Sequence, residues 1–304
     1  MILLSGGTGT PKLLQGLRKV IPDEEITVIV NTAEDIVISG TLVSPDIDTV
    51  LYLFSGLLDD KKWWGIRNDT FHTHSALQKM GINEKLMIGD TDRATHIMRS
   101  ELMRKGAVLT QATSQIATAL RIKARVLPMC DEKVDTMINT SQGVRHFQDF
   151  WVGARGETEV FDIKIKGIEK AKTTREVMEA LGSEDNVLIG PSNPITSIGP
   201  ILALKYLRGI LSMKKVIAVS PIIGNAPVSG PAGKLMQASG LPVSSLGVAE
   251  FYGDILDIMV IDERDTACEN DFPVRTERFD TMMTSVEKSE ALAKKIFELF
   301  GDIG

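Results

Sequence analysis

The chain has 304 residues, of which 43% are hydrophobic and 24% are charged, values typical of a soluble globular protein. This length suits one large α/β domain with insertions or two fused lobes. The net charge of -6 argues against a general nucleic-acid binder, which carries a broad basic face. Cys130 and Cys268 lie far apart and fit neither a disulfide framework nor a zinc site, which favours a reducing cytosol. No signal-peptide pattern and no apolar run of ~20 residues is seen, so we expect a cytoplasmic protein without membrane spans.

Short apolar runs alternate with amphipathic stretches in the N-terminal part of the chain. Residues 1–4 and 26–30 are apolar and partly β-branched, which predicts buried parallel strands. Residues 11–20 between them predict a helix, and Pro11 suits its first turn because proline has no donor to lose there. Three further helices are predicted over residues 48–58, 91–105 and 111–121.

Strand patterns then return. Residues 124–127, 136–139 and 158–165 predict strands in the middle of the chain, and residues 186–189, 215–219 and 258–261 predict strands in its final third. Residues 286–300 predict a closing helix. This alternation predicts an α/β fold with a three-layer, Rossmann-like, mainly parallel sheet. We expect residues 1–62 and 173–304 to form its core, with a helical and antiparallel insertion over residues 63–172.

A glycine-rich loop connects the first predicted strand to the first predicted helix. Glycines let the backbone approach a phosphate, and the N-terminal amides of a helix donate to it. The spacing matches neither GxxxxGK[ST] nor GxGxxG. We predict that the loop binds a nucleotide diphosphate, although a tight turn without a ligand is the alternative. The residues concerned are Gly6, Gly7, Thr8, Gly9, Thr10 and Lys12.

Three acidic clusters fall where predicted strands and helices meet. Glu34 and Asp35 follow the second strand, close after Asn31, and the other clusters are Asp46 with Asp48 and Asp90 with Asp92. Carboxylates gathered near a diphosphate suit Mg²⁺, which binds a few hard oxygens and water. Each aspartate before a helix could instead be an N-cap.

Two later loops are rich in glycine and proline and follow predicted strands. Ser192 and Asn193 could hydrogen-bond a base or ribose, or form an Asx-type turn before Pro194. The second loop contains Gly224. The adjacent Trp63 and Trp64 could stack on a flat heterocycle or serve as core or dimer contacts.

Several of these stretches occur together, in order and at matching spacings, in one known family. They are Gly6-Gly7-Thr8-Gly9, Asn31 to Asp35, Val43 to Tyr52, Gly89 to Asp92 with Ala94 to His96, Phe147 to Asp149, and Ile189 to Pro194 with Ser197 to Pro200. From residue 1 to about residue 262 the sequence resembles the 2-phospho-L-lactate transferase (CofD-like) family. Thr10 stands where the family often has glycine, and Arg93 where it often has leucine.

The resemblance implies a transferase of coenzyme F-420 biosynthesis. Family members move a 2-phospho-L-lactyl group, or a related phosphoenolpyruvyl group, from lactyl-2-diphospho-5′-guanosine to the deazaflavin alcohol FO. GMP leaves, Mg²⁺ is required and homodimers are usual. The fold implied is Rossmann-like, and the insertion would contribute to the acceptor site.

The resemblance also implies roles for individual residues. The diphosphate would lie across Gly6 to Thr10, near Lys12 and Asn31, with the guanosine end around Ser192, Asn193 and Gly224. Asp48 would orient the attacking alcohol, with Asp35 as the second choice. Contacts to FO are expected from Asp48, Asp90 and Thr91, and the candidate metal ligands are Asp48, Asp35, Asp90 and Asp92.

Two other functions remain open at this point. A sister branch of the superfamily comprises regulators that bind UDP-sugars without known catalysis, although the stretch from Ser44 to Asp48 resembles the transferase branch. A dinucleotide-dependent oxidoreductase is suggested by the glycine turn, but the third glycine is missing. Glu34 or Asp35 could then bind the ribose.

Overall fold

A computed structural model describes residues 1–153 and 156–303, and its centre is a seven-stranded parallel sheet. Within these ranges the strands are, in chain order, β1 (Ile2–Ser5), β2 (Thr27–Val30), β3 (Ile36–Ile38), β4 (Thr41–Val43), β5 (Arg125–Pro128), β6 (Asp135–Thr140), β7 (Gly143–His146), β8 (Val160–Lys166), β9 (Asn186–Ile189), β10 (Lys215–Val219), β11 (Ile222–Ile223), β12 (Ala226–Pro227), β13 (Ile258–Asp262) and β14 (Arg275–Phe279).

Helices cover the sheet and connect its strands. In chain order the α-helices of the described residues are α1 (Gly9–Leu17), α2 (Pro45–Ser55), α3 (His72–Lys79), α4 (Asp90–Arg104), α5 (Leu109–Ala119), α6 (Arg175–Ser183), α7 (Gly199–Leu202), α8 (Leu207–Leu211), α9 (Ala232–Ala238), α10 (Ser245–Tyr252) and α11 (Val286–Leu299). None of the helices within residues 1–153 and 156–303 is both long and apolar enough to cross a bilayer.

The strand order of the central sheet is β5-β2-β1-β9-β10-β13-β14, and every neighbouring pair is parallel. β1, β9 and β10 are almost wholly buried apolar runs, as expected of strands covered on both faces. The order reverses between β1 and β9, and ligands of open α/β sheets bind at such a switch point. The predicted Rossmann-like, mainly parallel sheet is confirmed.

Hydrophobic cores lie on both faces of this sheet. One contains Leu13, Leu14 and Leu17 of α1 together with apolar residues of α2 and α11, and the other contains residues of α6 to α10. α1 and α11 pack closely because Gly16 lies against the backbone of Ser289; a Cβ at position 16 would come within 2.1 Å of it. The three layers therefore follow from apolar stripes that cover both sides of the strands.

The middle of the chain supplies a second, antiparallel sheet. Its strand order is β7-β6-β8, and helices α3, α4 and α5 precede it. However, β5 also lies within residues 63–172 and pairs with β2 in the central sheet. The division at residues 63 and 172 stays a prediction, and this strand belongs to the sheet of the core.

Element boundaries differ from the sequence prediction at informative positions. α2 begins at Pro45, which suits a first turn, so Asp46 and Asp48 lie inside the helix. β14 (Arg275–Phe279) was not predicted because its sequence, RTERF, is mostly polar; it is the edge strand next to β13. α3 was likewise not predicted, since none of its residues is fully buried.

The two cysteines are both free thiols in different surroundings. Cys130 is buried, and burial raises its pKa to about 11. Cys268 is exposed in the segment between β13 and β14.

Candidate active site

A cavity of about 770 Å³ lies at the carboxyl edge of the central sheet. The loops after β1 and β9, which flank the switch point, form part of its wall, together with α2 and α4. Its size is in the range of ligand pockets. The wall is formed by residues from several separate segments, among them Gly7 to Gly9, Asp46 to Tyr52, Trp63 to Gly65, Asp92 with His96, Trp151 with Val152, Pro191 to Asn193 and Thr281 to Thr284.

The glycine loop is packed tightly against its neighbours. Gly7 has a φ of +60°, and its N–H donates to Asp46 Oδ1 at 2.8 Å. A Cβ on Gly9 would lie 1.8 Å from the carbonyl oxygen of Pro191. Glycine is needed at both positions, at the first for its left-handed backbone and at the second for close approach. Gly7, Thr8 and Gly9 line the cavity.

Ser192 joins the two loops that flank the switch point. Its hydroxyl lies 2.8 Å from Thr10 Oγ1, accepts from the Thr10 N–H at 3.2 Å, and donates to the Gly6 carbonyl oxygen. Thr10 is fully buried and does not line the cavity. The Thr10 hydroxyl therefore takes part in a loop-to-loop hydrogen bond, and its contact with phosphate stays a prediction.

Two buried carboxyl groups line the cavity beside the glycine loop. Asp46 accepts from the Gly7 N–H and, through Oδ2, from Asn31 Nδ2 at 2.9 Å. Burial raises the pKa of Asp46 to about 6. Burial and the neighbouring charge of Asp46 likewise raise the pKa of Glu34 well above its usual value. Asn31 itself is buried behind them and also donates to the Thr196 carbonyl oxygen.

A buried array of charged side chains forms another part of the wall. His96 Nε2 lies 3.2 Å from both Asp48 Oδ2 and Asp92 Oδ1, and the Tyr52 hydroxyl donates to Asp92 Oδ1 at 2.7 Å. Arg99, which is fully buried, contacts both oxygens of Asp48. Asp48, Tyr52, Asp92 and His96 line the cavity, whereas Arg99 stands behind them.

The charges in this array stabilise one another. Burial would raise the pKa of Asp48, but the charges of Arg99 and His96 outweigh it and lower the value to about 2. Burial would lower the pKa of His96, but hydrogen bonds to Asp48 and Asp92 raise it to about 9. Near neutral pH the array therefore holds an ionised Asp48 beside a protonated His96.

Helix periodicity explains how the array forms. Asp92, His96 and Arg99 are spaced i, i+4, i+7 on α4, and Asp48 and Tyr52 are spaced i, i+4 on α2. Residues at these spacings share one face of a helix. The array was missed in the sequence because the spacing alone does not show that the two faces meet.

Other predicted site residues do not line the cavity. Asp35 is buried and accepts from Ser44 Oγ at 2.8 Å. Asp90 accepts from Thr70 Oγ1 at 2.6 Å and from the N–H groups of His72 and Thr73 at the start of α3. Within the described residues, neither aspartate lines the cavity, and the same holds for the exposed Thr91 and for Gly224 in the turn between β11 and β12.

Lys12 and Asn193 do line the cavity. The Lys12 ammonium lies 5.5 Å from the centroid of the Trp63 ring, and burial lowers its pKa. Asn193 Oδ1 accepts from the Ile195 N–H, while its Nδ2 is buried with no partner among the described residues. Lys234 donates to the carbonyl oxygens of residues 156–158.

Two groups of side chains could be considered for a metal ion. Ligand atoms of Asp48, Asp92 and His96 lie within 4.8 Å of one another. Arg99 contacts both oxygens of Asp48 there, and Mg²⁺ prefers oxygen ligands to imidazole. Glu34 and Asp46 also line the cavity beside the glycine loop and offer the oxygen ligands that Mg²⁺ prefers. Of the four predicted metal ligands, Asp35 and Asp90 are not part of either group.

The sheet order and the position of the cavity place the protein among Rossmann-like α/β proteins. The family model of 2-phospho-L-lactate transferase CofD matches residues 1–296, and the chain belongs to this family. It is 59% identical over 306 residues to the 2-phospho-L-lactate transferase of Methanosarcina acetivorans, with 100% of both chains covered. It is 45% identical to the protein of that name from Methanocaldococcus jannaschii, covering 99% of this chain and 98% of the other.

A solved structure shares the fold. A protein of the UPF0052 family from Bacillus halodurans superposes with a TM-score of 0.67 over 97% of each chain, at 17% sequence identity. This likeness concerns the fold alone. The family resemblance noted in the sequence is confirmed, and neither the oxidoreductase nor the sugar-nucleotide regulator gains support from the relatives named above.

Proposed function

We propose that this protein transfers a 2-phospho-L-lactyl group from lactyl-2-diphospho-5′-guanosine to FO, with release of GMP, in the biosynthesis of coenzyme F-420. The observation that carries the proposal is the match of the family model over residues 1–296, together with 59% identity to a 2-phospho-L-lactate transferase. The cavity at the switch point supports it, since nucleotides bind there in related folds.

The donor diphosphate would lie along Gly7 to Gly9 with Lys12 beside it. The amides of this loop and the start of α1 supply donors for phosphate oxygens. The guanosine end would extend towards Asn193, whose buried Nδ2 has no partner in the described residues and is free to donate. Gly6 would support the loop from behind, because Ser192 binds its carbonyl oxygen.

FO would occupy the part of the cavity bordered by Trp63, Trp64 and Trp151, with its terminal hydroxyl near Asp48. Aromatic side chains suit the flat deazaflavin ring. The hydroxyl oxygen attacks the phosphorus that carries lactate and forms a new P–O bond. The P–O bond to GMP breaks, GMP leaves with that bonding pair, and the hydroxyl proton passes to Asp48.

A carboxylate with a pKa of about 2 is a weak base. This is compatible with phosphoryl transfer, in which positioning and charge neutralisation matter more than proton abstraction. Asp48 would therefore act mainly by orienting the hydroxyl. Asp35 hydrogen-bonds Ser44 and lies close enough to Arg99, Asp48 and Asp46 for their charges to interact, so it would influence the site by electrostatics.

The family requirement for Mg²⁺ extends to this protein in our proposal. Glu34 and Asp46 would hold the ion, because both line the cavity next to the glycine loop. When bound there, Mg²⁺ would neutralise negative charge on the diphosphate. We further propose a cytoplasmic homodimer, which size-exclusion chromatography with light scattering would test.

The direct test is an assay of the purified chain with FO, lactyl-2-diphospho-5′-guanosine and Mg²⁺. We expect a phospholactyl adduct of FO and an equal amount of GMP, both measured by liquid chromatography. Parallel reactions with the enolpyruvyl donor identify the preferred three-carbon acid. If FO is left unchanged and a UDP-sugar binds tightly, the transferase proposal is wrong and a regulatory role replaces it.

A further inference from the structure

Asp48 is held by cationic donors from two directions. Arg99 approaches from behind the cavity wall and donates from both terminal nitrogens, one to each carboxylate oxygen; Nη1 lies 3.1 Å from Oδ2. His96 approaches Oδ2 within the wall at 3.2 Å. A bidentate guanidinium contact fixes the plane of a carboxylate as well as its position.

The contacts with Arg99 and His96 do not occupy all the hydrogen-bond acceptor sites of the Asp48 carboxylate. A carboxylate oxygen has two lone-pair sites. Oδ2 accepts from Arg99 and lies within reach of His96, whereas Oδ1 contacts Arg99 alone among the described residues. Asp48 lines the cavity, and its Oδ1 keeps a second acceptor site beyond the contact with Arg99.

His96 and Arg99 are themselves held in place. His96 also contacts Asp92, which accepts from the Tyr52 hydroxyl, and Arg99 donates to the Leu42 carbonyl oxygen just before α2. Buried ion pairs of this kind contribute little net stability compared with apolar residues of similar volume. Their presence at the cavity wall is better explained by the geometry that they impose on Asp48.

We propose that Arg99 and His96 are positioning residues that hold the Asp48 carboxylate in the orientation needed to receive the acceptor hydroxyl. The inference rests on the proposed function and assigns to α4 a task in the reaction. Neither residue needs to touch the transferred group. Their removal should lower kcat, while the affinity for the nucleotide donor, which lies at the glycine loop, should change little.

A double-mutant cycle tests this inference. The variants are R99M, R99K, H96Q, D48N and the double variant R99M/D48N, and R104M serves as the matched control because Arg104 is exposed at the end of the same helix. We expect kcat to fall about 10²-fold in R99M, since small misplacements of a reacting group have effects of this size. R99K should be faster than R99M because lysine keeps the positive charge. It should be slower than wild type because lysine lacks the planar guanidinium group.

The decisive comparison is made in the D48N background. There, R99M should lower kcat by less than about threefold, because its effect acts through Asp48. H96Q should lower kcat with donor KM unchanged, and R104M should behave as wild type. Thermal melting identifies variants that fail to fold. If R99M fails to fold, R99K and the charge-balanced R99M/D48N are compared with wild type and D48N instead.

The outcomes separate the inference from the proposed function. Full activity of R99M and H96Q, or an equal loss on removing Arg99 with and without Asp48, would overturn the positioning role while the transferase function stands. If the wild-type chain itself forms no phospholactyl adduct, the proposed function fails and the inference fails with it.

Discussion

Asp46 and Asp48 are two residues apart on α2 and differ sharply in their electrostatic surroundings. Burial dominates at Asp46, whose partners are the neutral Asn31 amide and the Gly7 N–H, and its pKa rises to about 6. At Asp48 the charge of Arg99 outweighs burial, and the pKa falls to about 2. One turn of helix thus supplies a carboxyl group that is easily protonated and one that stays ionised.

Asp48→Asn should lower kcat about 10²-fold or more, because the acceptor hydroxyl loses the carboxylate that orients it and small misplacements of a reacting group have effects of this size. Because D48N leaves the buried Arg99 without its anionic partner, thermal melting should confirm that the variant is folded before its kinetics are compared. Steady-state kinetics with FO and the guanosine donor measure the loss. E101Q, on the exposed side of α4, is the control. Near-normal turnover in folded D48N would show that the assignment is wrong.

Asp46 should make the metal-free protein less stable as the pH rises. Its folded pKa of about 6 lies above the ordinary value of 3.8, so the fold favours the protonated form. Its stabilising contribution is full below about pH 4 and is lost as the pH rises towards 6. Two pKa units correspond to roughly 3 kcal/mol.

This pH effect is measured by comparing urea unfolding of wild type and D46N in EDTA from pH 4 to 7. The wild type should lose stability relative to D46N across this range. Adding Mg²⁺ at pH 7 should reduce the difference, because the ion favours the ionised carboxylate. Parallel stability profiles for the two proteins would contradict the effect of burial on Asp46.

At the scale of the elements, the central sheet was predictable because its strands are short apolar runs. The patterns over residues 186–189 and 215–219 match β9 and β10, whose faces are both covered. β14 escaped prediction because an edge strand has fewer apolar neighbours and its sequence is polar. A buried strand is recognised by its apolar run, and the polar sequence of β14 carries no such pattern.

The candidate site was less predictable for a related reason. The glycine loop and the acidic residues near it are local in sequence, so their type and spacing indicate phosphate and metal chemistry. The array of Asp48, His96 and Arg99 depends on α2 facing α4 across 51 positions of chain. Asp90 belongs to an acidic cluster in the sequence, but in the structure it accepts hydrogen bonds from the N–H groups at the start of α3.

The contact between α1 and α11 gives a prediction at this scale. Gly16→Ala should destabilise the protein by about 2 kcal/mol, because the new methyl group would overlap the backbone of Ser289. Denaturant unfolding measures the change. Gly182→Ala on α6 is the matched control: no atom lies within 4 Å of its added Cβ, and its effect should be neutral or slightly stabilising. Equal stability of the two variants would contradict the close packing of α1 and α11.

At the scale of the whole molecule, the cavity is formed by both halves of the sheet. Loops from the β1-β2 side and from the β9-β10 side contribute to its wall. A ligand that contacts both sides binds only the folded state, so it should raise the unfolding temperature.

GDP, which carries the guanosine and diphosphate of the proposed donor, should raise Tm in the presence of Mg²⁺. At 100 times Kd the gain is about 2.7 kcal/mol, which corresponds to several degrees. EDTA should reduce the shift if Glu34 and Asp46 hold the metal. Differential scanning fluorimetry measures the shift in Tm, with NAD and a UDP-sugar as comparison ligands. A larger shift with either comparison ligand would contradict the proposed donor class.

The contrast between the two thiols has a practical consequence. Thiolate is the reactive form of cysteine, and burial together with a pKa of about 11 leaves Cys130 inert in the folded protein. Cys268 is exposed and does not line the cavity. A maleimide dye should therefore attach at one position of the native chain without any mutagenesis. Fluorescence anisotropy, single-molecule imaging or oriented attachment to a surface then becomes possible with the active site left open.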